Sequence, residues 1–147
     1  LQRVKSGGAG NKMLMLLEGK GAAYIQDRGV SRWDTCAAEA VIEAHGGICY
    51  KLSGISERAG ATEKYCYQES TVNRDLEPGL AKITPYNAIT SALGKEKKGE
   101  PITNAAMVKP YANLCGIFAV GPAGMSSVPK FVTAVAEAKT REAPAFD

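Results

Sequence analysis

Two hydrophobic periods alternate along this chain. In "NKMLMLLEGKGAAYIQD" five consecutive apolar residues, 13–17, follow a glycine-rich turn and stop at Gly19 and Gly21. Such a run fits a short helix beginning after Asn11 or a buried strand, and we read the helix. Residues 22–26, carrying Tyr24 and Ile25, read as a strand. From 34 to 45 the alanines with Glu39 and Glu43 favour helix, and Gly46 with Gly47 supplies the left-handed residue that commonly closes one. Ile48, Tyr50 and Leu52 then alternate with Cys49 and Lys51, the pattern of a half-buried strand ending at Ser53 and Gly54.

Residues 54–113 mix short apolar pieces with turn formers. Residues 65–68 read as a strand, with Tyr65 and Tyr67 packing rather than stacking on a substrate, and "KEKK" at 95–98 as a solvated surface loop. Residues 115–120 read as a fully buried strand stopped by Gly121 and Pro122. Ser126 or Ser127 caps a last helix that tolerates Pro129 in its first turn. Val128, Phe131, Val132 and Val135 give that helix one face to pack on a sheet. The "TREAPAFD" end reads as a frayed tail. The expected fold is α/β, a layered sheet flanked by helices, with no internal repeat or linker.

Composition narrows this only a little. A chain of 147 residues, 45% hydrophobic and 22% charged, is long enough for one domain with a real core. A net charge of +3 without a long basic run, and aromatics spread along the chain, exclude a nucleic-acid polymer as partner and leave small anionic ligands. No run of 18 apolar residues points to a membrane. Cys36, Cys49, Cys66 and Cys115 lack CxxC spacing, and His45 is the only histidine, so the thiols read as reduced and mostly buried, and the setting as cytoplasmic. The chain opens on Leu1, which reads as a fragment, a processed chain or the ordered part of something longer.

Three stretches bear on chemistry. Gly7, Gly8, Ala9, Gly10, Asn11 and Lys12 make a turn whose backbone N–H groups can approach an anion, with a lysine at its edge. It is either a phosphate cradle or a turn that merely starts a helix, and its spacing matches neither a P-loop nor GxGxxG. Asp34 is either a helix cap, worth about 0.5 to 2 kcal/mol, or a ligand for a hard cation that takes carboxylates together with water and phosphate oxygens. His45, beside Gly46, reads as a helix-end residue, and no Ser/His/Asp or Cys/His arrangement offers itself.

Taken together, "GGAGNK", "EGKGAAY" and "WDTCAAEAVIEAHGG" resemble the C-terminal half of the inositol monophosphatase superfamily, with His45 standing before the glycines of an EAGG-like ending. The resemblance covers residues 5–53 well and 113–140 loosely. It implies a Mg2+-dependent, lithium-sensitive phosphomonoesterase. The branch most resembled removes the 3'-phosphate of adenosine 3',5'-bisphosphate; the branch acting on inositol 1,4-bisphosphate stands close behind, and a non-catalytic phosphate-binding module of the same fold is a third reading. By the resemblance Asp34 matches a metal-ligating aspartate, Lys12 the lysine that contacts substrate phosphate, and Gly8 and Ala9 the turn lining the substrate. Gln26 stands where some relatives carry an arginine. The acidic pair and DPxDxT loop of the superfamily are absent, so residues 1–147 correspond to the C-terminal portion. The resemblance therefore implies two or three Mg2+ ions held mostly by an N-terminal half of the same protein. Its partners are that half and a small phosphorylated substrate. No catalytic residue is assigned within this chain, which alone is expected to be inactive.

Overall fold

Four consecutive apolar residues make a strand that must be covered on both faces, and the central strand of this protein is of that kind. The computed structural model describes residues 4–26, 30–57, 60–65, 113 and 115–138. Its elements are α1 (Ala9–Leu14), β1 (Tyr24–Gln26), α2 (Cys36–Ala44), β2 (Ile48–Lys51), α3 (Leu52–Glu57), β3 (Ile117–Val120) and α4 (Val128–Ala138), with 3-10 turns at Arg32–Asp34 and Pro122–Ser127. The strands form an antiparallel sheet in the order β1-β3-β2. Ala119 of β3 stands between Tyr24 and Cys49, and Phe118 between Ile25 and Tyr50.

Because successive side chains of a strand point to opposite faces, β3 feeds two cores. Ile117 and Ala119 join Tyr24 and Cys49 in a cluster closed by Met13 and Leu16 from the α1 segment and by Ala38 and Ile42 from α2. Phe118 and Val120 join Leu52 and Ile55 of α3 on the other face, where Val128, Phe131, Val132 and Val135 of α4 pack against them. The result is a mixed α/β fold in layers, with helices over both faces of the sheet.

Several expectations need correction in detail. The strand read at 48–52 stops at Lys51, and Leu52 opens α3, which the alternating pattern does not reveal. Nor is β2 half-buried in the sense of one wet face: Cys49 and Lys51 are buried, while Ile48 and Tyr50 pack on the second core. The Lys51 ammonium lies 3.8 Å from Glu63 Oε2, the kind of partner a buried cation requires. The last helix is preceded by the 3-10 turn Pro122–Ser127, which runs directly into it. Cys49 and Cys115 are buried free thiols and Cys36 is part-exposed. Expectations for Cys66, Tyr67, 66–68, 95–98 and the tail at 140–147 lie outside the described residues.

The close of α2 follows the sequence. Gly46 N–H donates to Glu43 O at 3.0 Å and Gly47 N–H to Ile42 O at 2.9 Å, the paired bonds of a Schellman ending. Gly46, with φ +82°, is its left-handed residue. Beyond α3, residues 63–65 run beside β2: Lys51 N–H donates to Glu63 O at 2.8 Å and Tyr65 N–H to Cys49 O at 2.9 Å. Among the described residues no helix is long and apolar enough to cross a membrane.

Candidate functional site

The glycine-rich turn enters α1 through Gly8, whose φ of +69° and ψ of 134° suit a residue without a side chain. Asn11 closes the turn from inside the helix, its Nδ2 donating to Ser6 Oγ at 2.8 Å and to Gly7 O at 3.4 Å. Gly8 is exposed and Ala9 half-buried. One residue on, a methyl group at Gly10 would stand 3.5 Å from the carbonyl oxygen of Asp34. The first turn of α1 therefore closely approaches the turn carrying Asp34, two stretches that the sequence separates by more than twenty residues.

Asp34 ends the 3-10 turn begun after Ser31. Its Oδ2 accepts the Ser31 N–H at 2.9 Å, so the carboxylate does cap, but it caps its own turn rather than α2. Thr35 at the N-cap of α2 makes no side-chain cap either; its hydroxyl donates back to Arg32 O at 2.7 Å. The Asp34 side chain is exposed, as is Trp33 beside it. An exposed carboxylate is the donor type a hard divalent cation takes, but an octahedral shell needs further ligands. Among the described residues no three His, Cys, Asp or Glu side chains gather to hold a metal ion. Asp34 fits as one ligand of such a site and cannot build it.

Lys12 serves a different surface. It lines an open cavity of about 460 Å³ together with Lys5 and Lys20, between the 4–6 segment, α1, β1 and Phe131 of α4. Among the described residues lining it none is acidic, and Gly8, Ala9 and Asp34 are not part of its wall. Lys20 also pairs with Glu18 at 2.8 Å, both exposed. The Lys5 and Lys12 ammonium groups, with Lys20 held to Glu18, leave the concavity a net positive potential suited to an anion. The lysines at 5 and 20 escaped the sequence reading; the signal was available, since they flank the same glycine-punctuated unit as Lys12.

His45 sits at the C-terminal end of α2, its Nδ1 2.9 Å from Val41 O, and so is separated from Asp34 by the length of the helix. Behind the Asp34 turn, Tyr65 reaches Thr35, the two hydroxyls 3.1 Å apart. Burial drives the Tyr65 phenol well above its ordinary range, and the charges of Cys115 and Glu39 raise it further. Cys49 is pushed up to about 12, by burial first and then by Glu39 and Glu43. Neither group is ionised near neutrality, and both serve here as neutral groups of the core.

Residues 2–86, more than half of the chain, match the inositol monophosphatase family. The chain belongs to that family. Among characterised proteins, a stretch of 52 residues is 49% identical to 3'(2'),5'-bisphosphate nucleotidase 1 of Homo sapiens, and the Mus musculus and Rattus norvegicus proteins of that name match equally. The stretch is 35% of this chain and only 17% of the length of each of those relatives. That family is one of metal-dependent phosphomonoesterases.

Proposed function

We propose that this chain forms part of a Mg2+-dependent phosphomonoesterase that removes the 3'-phosphate of adenosine 3',5'-bisphosphate. The observation that carries the reading is the close approach of the glycine-rich first turn of α1 to the exposed Asp34 turn, within the residues matched to the family. Similarity over 52 residues to a bisphosphate nucleotidase supports that substrate over inositol 1,4-bisphosphate. Asp34 holds one Mg2+, and the remaining ligands come from a preceding half of the same protein. Bound Mg2+ supplies a polarised phosphate and a water of lowered pKa. Gly8 and Ala9 leave the backbone of their turn open to the substrate, and Lys12, facing the adjoining lysine-lined cavity, sets a positive point charge that orients phosphate oxygens extending into it.

The test is Asp34→Asn in the intact protein, assayed with both bisphosphates. Turnover of adenosine 3',5'-bisphosphate should fall about a hundredfold or more, as when a preorganised charge is removed from a reacting phosphate, with the fold retained by circular dichroism. Wild-type turnover in the variant would remove Asp34 from the metal site. Preference of the wild type for inositol 1,4-bisphosphate would transfer the reading to the inositol branch. No hydrolysis of either would favour a non-catalytic phosphate-binding module.

A further inference from the structure

We infer that Tyr65 is a positioning residue for Asp34, holding the turn that carries the carboxylate through a hydrogen-bonded chain that passes by way of Thr35. This rests on the reading of Asp34 as a metal ligand. Thr35 follows Asp34 directly and is fully buried. Its hydroxyl has a single proton, and the 2.7 Å bond to the Arg32 carbonyl uses it, because a carbonyl can only accept. In the 3.1 Å contact between Thr35 Oγ1 and Tyr65 Oη the phenol must then be the donor. The chain therefore has one direction: Tyr65 Oη donates to Thr35 Oγ1, and Thr35 Oγ1 donates to Arg32 O, across the base of the turn whose last residue is Asp34.

Tyr65 is itself anchored. Its backbone N–H donates to Cys49 O at 2.9 Å, Lys64 bridges to Tyr50, and the Lys64 ammonium meets Glu43 Oε2 at 2.9 Å. A residue thirty positions along the chain thus ties the edge of the sheet to the Asp34 turn. The carboxylate is constrained twice, by Ser31 N–H on its own Oδ2 and by the Tyr65 chain on the backbone that carries it. An apolar side chain at 65 would fill the core equally well but could not donate, and a buried phenol is costly unless its hydroxyl has a partner. The hydroxyl is thus the part of Tyr65 that packing does not explain.

Tyr65→Phe in the intact protein removes that oxygen and little else. Losing one neutral hydrogen bond should raise the Mg2+ concentration for half-maximal turnover about fivefold, with kcat at saturating Mg2+ within about twofold of wild type. Thr35→Val should show the same rise, Thr35→Ser should retain the wild-type requirement, and the double variant Tyr65→Phe/Thr35→Val should be no worse than Thr35→Val alone. Mn2+ titration followed by electron paramagnetic resonance should rank the variants in the same order without reference to turnover. If Tyr65→Phe lowers the melting temperature yet leaves the Mg2+ requirement unchanged, while Asp34→Asn raises that requirement, the positioning role is overturned and the metal-ligand reading stands. If Asp34→Asn itself leaves the requirement unchanged, both fall.

Discussion

Gly46 and Gly47 are adjacent, and the structure requires each for a different reason, which makes them a sharp test of the packing. Gly46 has φ +82°, and a methyl group added there meets nothing within 4 Å. The cost of Gly46→Ala is therefore conformational, about 1 to 2 kcal/mol for an L-residue in the left-handed region, and Gly46→Asn should recover part of it. Gly47 has an ordinary backbone, but its added methyl would lie 2.6 Å from Ile42 Cγ2, 2.6 Å from Val120 O and 3.1 Å from Ile42 O. Two of those atoms are backbone oxygens and the third is the branch methyl of a fully buried side chain, so none can swing aside. Relief requires α2 and β3 to separate by several tenths of an ångström. Overpacking of that kind costs roughly 1 to 3 kcal/mol, and with backbone on two sides the upper end applies, a fall in melting temperature of roughly 10 °C for a domain of this size. Urea denaturation of the four variants Gly46→Ala, Gly46→Asn, Gly47→Ala and Gly47→Asn reads the contrast. Gly47→Ala costing no more than Gly46→Ala would falsify the steric account, and Gly46→Asn costing as much as Gly46→Ala would refute the conformational one.

Other expectations follow from the same packing. Phe118→Ala, in the centre of the sheet and stacked on Tyr50 with ring centroids 6.5 Å apart, should lose about 3 to 5 kcal/mol in a denaturant titration. The Cys49 thiol rises from 9.0 to about 12 and Tyr24 from 10.0 to about 12. Both keep their protons in the fold at a pH where the unfolded chain has lost them, so stability should be undiminished below pH 9 and decline as pH climbs toward 12. Cys49→Ala should flatten that decline in urea midpoints taken across the range. A thiol reagent at pH 8 should modify Cys36 in the native protein and spare Cys49 and Cys115 until the protein unfolds, with Cys36→Ser removing one fast equivalent in the stopped-flow trace. Lys12→Met should raise KM for the phosphorylated substrate about tenfold while changing kcat less, as expected for a charge that binds rather than activates.

Much of the fold was legible because the chain punctuates itself with glycine. Gly46 and Gly47 announced the end of α2, and Gly121 with Pro122 the end of β3, because each break follows a segment of unmistakable period. What the pattern misjudged was Leu52. As the next apolar residue in an alternating series it belongs to a strand, yet it starts α3, because Ser53 N–H bonds to Cys115 O and the chain turns over the sheet there. Local alternation carries no information about a partner more than sixty residues away. Lys51 misled for the same reason, since the Glu63 that accompanies it is contributed by the segment lying alongside β2. At the candidate site, the approach of Gly10 to the Asp34 carbonyl is not readable from spacing, which says nothing of residues so far apart in the chain. The sequence reading of Tyr65 as packing holds for its ring; the direction of its hydroxyl depends on where the Thr35 proton already goes.

The central position of β3 decides the order in which this fold can assemble. β1 and β2 lie close together in sequence, yet they do not pair with each other; each pairs with a strand that leaves the ribosome much later, Lys51 standing opposite Ile117. Until residue 120 has been made, β1 has no paired strand among the described residues and β2 has only the 63–65 segment beside it. Closing so wide a loop is slow, and it holds apolar edges open to other chains while it lasts. Lengthening the intervening segment costs little at equilibrium, about 0.6 kcal/mol per doubling of loop length. Length between β2 and β3 can thus drift at small thermodynamic cost, whereas a chain stopped before residue 117 lacks the strand that joins β1 to β2.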